Sequence, residues 1–448
     1  MNDSNQNEEK ERAWQSLVHV CRRWRNIVFG SPRHLNLCLA CTANTRARDT
    51  LDDVWPALPL IISFHRDYGT GSVDNIVAVL ERSDRVCQIY LTVVPSSDLE
   101  IFLAAMQQPF PELTSLLLTT SDETVSVVPD SFLGGSAPRL KVFWLDRITF
   151  PGLPNLLLSA THLTVLHLDN IPHSGYISPE AMVTALSTLT SLEYLLFEFV
   201  SPLSCPDQAS RRPPPSTRSV LPVLPFFSFR GVSKYLEDLV ACIDAPRLNN
   251  FYITFLNDIP FDAQQLMRFI SRTPTSRALD IARINLRNDR ASLRFTSQTS
   301  GDRKLSVSIL CQGLGRQVSS LEQVCTSCLP SLSMLEDLYV CEDPTSPPDW
   351  KDDIENGLWL QLLRPFTAVK NLYLSKQFAL CIGPALQELA EGRMTRVLPA
   401  LENIFLEGLE SSGPVQEGIA KFVASRQVAS RPIAVSSWTN LDSYKAYY

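Results

Sequence analysis

The sequence lacks a long apolar run, a surplus of basic residues and an apolar N-terminus, and each absence excludes a class of protein. No stretch approaches the roughly 20 apolar residues of a membrane-spanning helix, although 45% of the chain is hydrophobic. The 40 Lys and Arg residues stand against 47 Asp and Glu residues, so a net charge of −7 offers no broad positive field to nucleic acid or an anionic membrane. The polar first residues are not those of a signal peptide, and an odd count of 11 cysteines is typical of reduced thiols. We therefore expect a soluble protein of the cytoplasm and/or nucleus, with no nucleic-acid and no membrane partner.

The chain also has little that is typical of catalytic or metal-binding chemistry. Two C-x-x-C pairs, Cys38/Cys41 and Cys325/Cys328, are separated by most of the chain, whereas a structural zinc site needs two such pairs at suitable spacing. The second pair falls on the apolar face of a predicted helix, where free cysteine packs as a small apolar residue. The full P-loop pattern is absent, and the histidine cluster around His167 has no nucleophile motif beside it. We predict no metal, no cofactor and no catalytic residue, and hence not an enzyme.

A repeat runs through most of the chain. The pattern [LV]-x-x-[LFI]-x-[apolar] recurs at steps of 23 to 34 residues, apart from one step of 54 between Ile281 and Leu335. The first residues of the copies, their anchors, are Val86, Leu113, Leu140, Leu163, Leu192, Leu224, Leu248, Ile281, Leu335, Val369 and Leu401. Many copies follow a proline, which resists a helix and starts an extended segment. Helical patterns lie between the copies, and Ser72, Ser178 and Asp262 are their predicted N-caps.

A strand, a turn and a helix that recur about every 29 residues are typical of a leucine-rich-repeat solenoid. The predicted fold class is therefore α/β, an irregular solenoid with parallel inner strands and outer helices. The alternative is an ordinary α/β sandwich whose buried strands happen to look alike. The Asn or Cys expected in the turn, eight residues beyond the anchor, is missing at Ile148, Ile171, Val200 and Leu409. We expect variable turns, packed by apolar side chains, in place of an asparagine ladder.

Three segments interrupt or end the repeats. Residues 201–219, rich in Pro, Ser and Arg, predict a loop that leaves the solenoid, or alternatively a polyproline ligand for a partner domain. Residues 293–310 alternate around Ser300-Gly301 like a β-hairpin. Pro414 begins a helix that we expect to cap the last repeat. The predicted organisation is a disordered N-terminus at 1–12, a separate helical part at 13–50, the solenoid at 51–410, and a capping helix with a loose tail at 411–448.

The stretch SLVHVCRRWRNIV at 16–28 predicts a helix with a broad apolar face. Leu17, Val20, Cys21 and Trp24 fall at i, i+3, i+4 and i+7, so they share one side of the helix. Such a face has to be buried against something. The preceding residues, MNDSNQNEEKER, cannot form an apolar partner. We therefore expect the face to pack partly on the first repeats and partly on another protein.

The same stretch resembles the second half of an F-box, whose motif ends in V-C-x-x-W-R followed by apolar residues. Val20, Cys21, Trp24 and Arg25 match that motif, and the larger arrangement is similar to the F-box/leucine-rich-repeat proteins abundant in mushroom-forming fungi. In that family the F-box docks on a Skp1-type adaptor of a cullin–RING ubiquitin ligase, and the repeats hold the substrate. The resemblance thus implies a partial F-box at 13–50 and a non-enzymatic substrate-recognition subunit for an unknown protein substrate.

An F-box normally opens with Leu-Pro and an apolar helix, and the segment before the match here is MNDSNQNEEKERAW. Only the C-terminal half of the motif is therefore matched. The adaptor contacts that the resemblance implies are Trp14, Leu17, Val18, Cys21 and Trp24. One alternative is a core helix in a free-standing leucine-rich-repeat scaffold that does not bind Skp1. Another is a truncated gene product.

A substrate surface is predicted from the strand pattern. In L-x-x-L-x-L the leucines point inward, and the residues between them reach the concave face. The column four residues beyond the anchors has six aromatic members of eleven, against 9% aromatic content in the chain. Exposed aromatic side chains are typical of partner-binding surfaces, although tyrosine also simply suits strands. The predicted stripe is Tyr90, Trp144, His167, Tyr252, Tyr339, Tyr373 and Phe405, and the remaining column members are Leu117, Leu196, Ser228 and Asn285.

The columns beside the stripe are polar. Carboxylates stand six residues beyond several anchors, and a basic patch lies in the middle of the solenoid. The carboxylates are Asp146, Asp169, Glu198 and Glu407, and the basic residues are Arg230, Arg283 and Arg287. The carboxylates predict a basic peptide or protein face as the ligand.

Overall fold

The computed structural model describes residues 20–30, 38–45, 58–66, 72–122, 126–204, 218–256, 263–274, 279–297, 303–329, 332–342, 354–391, 397–408, 414–428 and 431–439. The chain divides into two compact units, Met1–Pro206 and Asp207–Tyr448. The solenoid predicted at 51–410 spans both units. The predicted disordered segment 1–12 lies outside the described residues, as does the central part, 205–217, of the predicted loop 201–219.

A parallel β-sheet with helices along one face forms the first unit. Its strands are β1 (Leu39–Cys41), β2 (Leu60–His65), β3 (Val86–Val94), β4 (Ser115–Thr120), β5 (Ser126–Val127), β6 (Val142–Asp146), β7 (Ile148–Thr149), β8 (Val165–Ile171) and β9 (Tyr194–Phe199). All pair parallel in chain order, except that β5 and β7 form a separate short ladder. The helices are α1 (Arg22–Gly30), α2 (Val73–Leu80), α3 (Ser96–Ala105), α4 (Leu153–Ser159) and α5 (Pro179–Leu186).

The strands form where the repeat alternates apolar residues with others. In β4, Leu116 and Leu118 are buried while the intervening Leu117 is half-buried. The inward side of the sheet meets the helices, as where the rings of Phe64 in β2 and Phe102 in α3 lie 5.3 Å apart. Successive side chains of a strand point to opposite faces, so the intervening residues lie on the other side. We call the side of each sheet opposite the helices its open face.

The backbone is left-handed at Arg147 (φ 59°), between β6 and β7, and at Asn170 (φ 49°), next to the last residue of β8. The next residues, Ile148 and Ile171, are buried. Apolar packing in place of an asparagine ladder is therefore confirmed at these two positions. It is wrong for Val200, which is exposed because the chain there leaves the sheet. Leu409 lies outside the described residues.

The second unit is also a sheet with helices along one face. Its strands are β10 (Ser219–Val220), β11 (Phe226–Gly231), β12 (Ile243–Asp244), β13 (Asn250–Phe255), β14 (Ile281–Leu286), β15 (Arg290–Thr296), β16 (Lys304–Leu310), β17 (Asp337–Glu342), β18 (Asn371–Leu374), β19 (Asn403–Glu407) and β20 (Ala434–Trp438). The helices are α6 (Ser233–Ala241), α7 (Gln264–Arg272), α8 (Leu314–Ser327), α9 (Asn356–Leu363), α10 (Lys376–Glu391) and α11 (Pro414–Val428). The rings of Phe251 in β13 and Phe269 in α7 meet at 5.6 Å and join sheet to helix.

A hairpin interrupts the parallel order of this second sheet. Strands β15 and β16 pair antiparallel, so the hairpin predicted at 293–310 is confirmed. It stands between two repeats, because β16 pairs parallel with β13 and β15 pairs antiparallel with β14. The long step from Ile281 to Leu335 is thus filled by this hairpin and by α8.

Helix starts follow the predicted capping where they are described. The hydroxyls of Ser72 and Ser178 each accept a hydrogen bond from a backbone N–H in the first turn. Asp262 lies outside the described residues. At that helix, α7, the Glu237 carboxylate of the preceding repeat accepts hydrogen bonds at 2.9 and 2.7 Å from two N–H groups of the first turn. No described helix is both long and apolar enough to cross a membrane.

The C-terminal end carries α11 and then β20, which pairs parallel with β19. Ile419 and Phe422 of α11 are buried, as expected for a helix that covers the last repeat. The strand β20 is absent from the sequence-based prediction, which assigned residues from Trp438 onward to a loose tail. Residues 440–448 lie outside the described part of the chain.

Candidate functional site

The residues four positions beyond the anchors form one row across the open face of the first sheet. The members of the row, in register from strand to strand, are Tyr90, Leu117, Trp144, His167 and Leu196. The predicted register is therefore confirmed in this unit, because strand alternation and the repeat length together determine it. The role of Tyr90, Trp144 and His167 in partner binding stays a prediction.

An aromatic stack lies in the middle of this row. The Trp144 and His167 rings are stacked with centroids 3.6 Å apart, and Tyr194 lies on the far side of His167 at 6.1 Å. His167 is only 7% exposed, so the prediction that it stands open on the surface is wrong: its aromatic neighbours cover it. Trp144 Nε1 and His167 Nε2 are both buried, and neither has a hydrogen-bond partner among the described residues.

Two carboxylates stand beside the stack, on neighbouring strands. Asp146 and Asp169 are directly opposite each other in the register of β6 and β8. Asn170 Nδ2 donates to Asp146 Oδ1 at 2.9 Å, and His167 Nε2 lies 3.9 Å from Asp169 Oδ2. Burial raises the pKa of Asp146, and the nearby Asp169 charge raises it further. This part of the open face is thus acidic and aromatic.

The corresponding row of the second sheet differs from the prediction at one copy. Its members, in register, are Ser228, Tyr252, Ser306, Arg294, Arg283, Tyr339, Tyr373, Phe405 and Ser436. Asn285 was assigned to the row and lies opposite Cys341 instead, so that assignment is wrong. The residue in the row is Arg283, two positions earlier. The binding role of Tyr252, Tyr339, Tyr373 and Phe405 stays a prediction.

The C-terminal end of this row is a continuous aromatic stack. Tyr339 and Tyr373 are stacked at 4.1 Å, and Tyr373 and Phe405 at 4.5 Å. Trp438 meets the two tyrosines edge-on at 5.9 and 5.6 Å, and its Nε1 donates to the Leu374 carbonyl at 3.1 Å. Burial raises the pKa of Tyr339. The rings are half-buried, and together they form an amphipathic surface of the kind that partners contact.

A polar ladder runs beside these rings. Asn371 Nδ2 donates to Asp337 Oδ1 at 2.6 Å, and Asn403 Nδ2 donates to Asn371 Oδ1 at 2.8 Å. On the other side of the stack, burial raises the pKa of Glu407. The ladder holds three neighbouring strands in one register and leaves the aromatic rings between two polar borders.

The first described segment, residues 20–30, contains α1 and the residues that resemble an F-box. Cys21 and Trp24 of the predicted adaptor contacts are exposed, while Trp14, Leu17 and Val18 lie outside the described residues. Exposure reaches 64% at Val20, 48% at Trp24 and 56% at Ile27. The expectation that this face packs partly on the first repeats is therefore wrong for these described residues.

The cysteines of the two C-x-x-C pairs take up different environments. Cys325 and Cys328 are buried, and burial raises the pKa of Cys328 to about 12. Burial likewise raises the pKa of Cys41 to about 12, whereas Cys38 is half-buried. Thiols with such pKa values stay protonated at neutral pH, and thiolate is the form that binds metal. Within the described residues no group of three or more His, Cys, Asp or Glu side chains could hold a metal ion.

Among the residues of the open faces that the sequence reasoning missed are Tyr194, Arg294 and Trp438. Tyr194 stands two positions beyond its anchor, outside the column considered, and leans onto His167. Arg294 comes from the inserted hairpin, which the repeat pattern does not cover. A signal for Arg283 was present, because Leu279 begins an equally good copy, L-x-x-A-x-I, that puts Arg283 four residues beyond its anchor.

The repeated strand and helix units give this chain an irregular leucine-rich-repeat fold of the α/β class. No protein-family model matches the sequence, and no curated protein matches it. Among solved structures, the chain is similar to the leucine-rich-repeat-containing protein LegL7 from Legionella pneumophila. That match has 14% sequence identity and a TM-score of 0.29, and it covers 86% of this chain and 97% of LegL7.

Proposed function

We propose that this chain is a non-enzymatic protein-binding scaffold that serves as the substrate-recognition subunit of a Skp1–cullin–F-box type ubiquitin ligase. The open faces of the sheets hold the protein substrate, and the segment around α1 binds the Skp1-type adaptor. We place the protein in the cytoplasm and/or nucleus, where that ligase works.

The observation that supports substrate binding is the aromatic row on each open face. Half-buried Trp, Tyr and Phe side chains offer a large contact area at low entropic cost. The carboxylates of Asp146 and Asp169, beside the Trp144–His167 stack, favour a basic segment over this part of the row.

The observation that supports the adaptor role is the exposure of α1. Trp24 and Ile27 of α1 stand three residues apart and are exposed, as is Val20 just before the helix, so apolar side chains face outward here. Exposed apolar side chains that share one helix face are typical of a protein-docking surface. Arg22 and Arg25 flank these side chains and keep the rest of the helix hydrated.

The second candidate is a free-standing leucine-rich-repeat scaffold that does not bind Skp1. The observation that favours it is that three exposed arginines, Arg22, Arg23 and Arg25, are interspersed with the exposed apolar residues, so α1 is compatible with a hydrated helix that has no partner protein. The two candidates share the substrate surface and differ only in the role of α1.

The test is capture of a purified Skp1-type adaptor by the full chain, followed by calorimetry. We expect the wild type to bind and Trp24→Ala to lose most of the affinity, because a central aromatic contact contributes about 2 kcal/mol or more. Trp438→Ala is the matched control, since Trp438 lies on the second sheet and should leave adaptor binding unchanged. A wild-type chain without measurable adaptor binding would leave the free-standing scaffold as the function.

A further inference from the structure

We propose that the outer edge of β20 binds an extended segment of another protein as an added antiparallel strand, with an acidic side chain of that segment beside Arg426 and Arg431. The site is the edge of the second sheet and not its open face. The proposal therefore depends neither on the adaptor nor on the role of the aromatic row.

The strand β20 has backbone groups that point away from the sheet. The strand order ends at β20 in the described part of the chain. It pairs parallel with β19, and the Ala434 N–H donates to the Glu402 carbonyl at 2.9 Å. In a parallel pair, the N–H and C=O groups of one residue point to one side and those of the next residue point to the other. The backbone groups of Val435 and Ser437 therefore point outward, and such an edge is a template for a further strand.

The edge lacks several features that commonly prevent strand addition. The five residues of β20, AVSSW, include no charged residue and no proline, and they pair with β19 without a bulge. Its aromatic side chain, Trp438, folds back over the sheet, where its ring lies 5.9 and 5.6 Å from the rings of Tyr339 and Tyr373. Residues 434–437 are all exposed. Another strand can therefore approach this edge.

The apolar core of the sheet continues to this edge and ends there only partly covered. Leu338, Leu372 and Ile404 are fully buried and lie in register on neighbouring strands. Val435 of β20 continues their column and is 40% exposed. An apolar side chain opposite Val435 on an added strand covers it, and the apolar area buried in this way stabilises the pairing.

Two arginines at the start of β20 determine which charge the added segment should carry. Arg426 Nη2 donates to the carbonyls of Val397 and Leu398 at 2.9 and 3.1 Å. Arg431 is exposed, and its Nη1 donates to the Pro399 carbonyl at 3.3 Å. Burial lowers the pKa of Arg426, and the charge of Arg431 lowers it further. Among the described residues neither arginine forms an ion pair with a carboxylate.

The carboxylates at the start of the preceding strands act on a different cation. Lys370 Nζ donates to Glu336 Oε1 at 2.8 Å. That hydrogen bond and the charges of Glu336 and Glu402 raise the pKa of Lys370. An acidic residue of the added segment therefore supplies a countercharge to Arg426 and Arg431, in hydrogen bonds of the charge-assisted kind.

The position of the arginines gives the order of the residues in the segment. Both precede Ala434 in the sequence, and Arg431 lies at the N-terminal end of β20. Antiparallel pairs are slightly more stable per residue than parallel ones. An antiparallel strand places its C-terminal end beside the N-terminal end of β20. We therefore expect the acidic residue to follow the apolar ones in the partner segment.

The experiment is fluorescence anisotropy with the full chain and a fluorescein-labelled, amidated peptide of alternating Thr and Val that ends in Asp-Glu. One matched peptide ends in Asn-Gln, another begins with Asp-Glu, and a third has N-methyl groups on alternate backbone nitrogens. We expect the first peptide to bind at least about tenfold more tightly than each of these three, with an affinity that falls as salt rises.

Two variants of the chain test the two parts of the site. Ser437→Pro removes an outward N–H and leaves the pairing with β19 in place, so it should weaken binding about tenfold or more. Ser437→Ala is its matched control, because it keeps the N–H, and it should bind as the wild type does. Arg431→Gln should weaken the Asp-Glu peptide about tenfold and leave the Asn-Gln peptide unchanged. Arg268→Gln, at an exposed position of α7, is the control for charge.

Unfolding temperatures show whether a variant has misfolded, and the N-methylated peptide tests the edge with the wild type alone. Equal binding of the N-methylated or the Asn-Gln peptide would overturn the proposal, as would tighter binding of the peptide that begins with Asp-Glu. Binding that requires removal of residues 440–448 would make the chain's own end the occupant. A dimer that Ser437→Pro converts to a monomer in sedimentation would make the occupant a second copy. Either result refutes a partner segment, whereas failed adaptor capture refutes only the ligase role.

Discussion

The two sheets place the same row of residues on their open faces and fill it with opposite chemistry. In the first unit the row contains the Trp144–His167 stack, with Asp146 and Asp169 beside it. In the second unit the equivalent row contains Arg294 and Arg283, which lead into the Tyr339–Tyr373–Phe405 stack. The comparison shows that the repeat determines where a side chain stands, whereas the residue at that position determines the charge and polarity of that part of the face.

The difference arises where the repeat is interrupted. In the first sheet every strand of the row comes from a regular copy, and the acidic column follows directly from the repeat. In the second sheet the hairpin β15–β16 adds Arg294 and Ser306, and it brings an antiparallel pair into an otherwise parallel arrangement. The hairpin thus places Arg294 beside Arg283, while β13 pairs in register with β16 and β17 with β14.

The largest effect is expected from the buried side of the first sheet. Leu166 is fully buried next to the row, so Leu166→Ala should leave a cavity and lower the free energy of unfolding by about 2–5 kcal/mol. Leu372→Ala in the second sheet is the matched change, because Leu372 is also fully buried. Urea denaturation measures both. Wild-type stability in either variant would show that the two faces of that sheet are exchanged.

A smaller loss is expected from the aromatic row itself. Trp144→Ala removes the ring stacked on His167, and stacked aromatic pairs contribute about 0.5–1.5 kcal/mol beyond their buried area. We expect a loss of about 1–2 kcal/mol, less than for Leu166→Ala, measured in the same urea titrations. A loss as large as that of Leu166→Ala would mean that Trp144 is a core residue and not part of an open face.

The pH dependence of protein stability should report the environment of Asp146, one of the carboxylates beside the row of the first sheet. Burial raises the pKa of Asp146 above its ordinary value of 3.8, so the folded protein holds that proton more tightly than the unfolded chain. The stability contributed by this group is present at pH values below its ordinary pKa and is lost as the pH rises through the raised pKa. At neutral pH, Asp146→Asn should therefore have a higher free energy of unfolding than the wild type. The difference should be less than about 1 kcal/mol, because solvent screens a half-buried group.

Thermal unfolding at several pH values checks this expectation. The advantage of Asp146→Asn should shrink as the pH falls, since the wild-type carboxyl is then protonated. A variant that is less stable at neutral pH would show that the hydrogen bond from Asn170 prefers the charged carboxylate.

The smallest effect on stability is expected from replacing residues 205–217. Residues 205–217 contain RRPPPSTR and, as a predicted loop, should bury little. A Gly/Ser segment of the same length should change the unfolding temperature by no more than about 3 °C, because changes within a loop alter only a small entropy term. Scanning calorimetry measures the change. A large drop would show that these residues pack against one of the sheets.

The regular part of the fold could be predicted because it depends on local patterns. Alternation along a strand and the recurrence of the anchors were sufficient to place Trp144, Tyr252 and Tyr373 in their rows. Capping by Ser72 and Ser178 also depends only on neighbouring residues. These interactions lie within one repeat or between adjacent ones, so the sequence carries their signal directly.

The irregular part could not be predicted, because it depends on pairing between distant strands. The pattern placed Asn285 opposite Tyr339, whereas β14 pairs with β17 in a register shifted by two residues, which puts Arg283 there. That pairing between strands is not visible in the pattern of a single strand. Trp438 packs on Tyr373 only because β20 pairs with β19, and the repeat pattern does not predict a strand at that position. The burial of His167 follows from the neighbouring Trp144 and Tyr194 rings, which a single strand does not reveal.

The proposal that the open face of the first sheet binds a basic protein segment is tested most directly by a peptide titration. Labelled Lys/Gly and Glu/Gly peptides are titrated against the wild type and against the double variant Asp146→Asn/Asp169→Asn. We predict that the wild type binds the Lys peptide more tightly than the Glu peptide, and that the double variant binds the Lys peptide at least about tenfold more weakly than the wild type does. Equal binding of the two peptides by the wild type, or an unchanged affinity of the double variant for the Lys peptide, would contradict the assignment of this face.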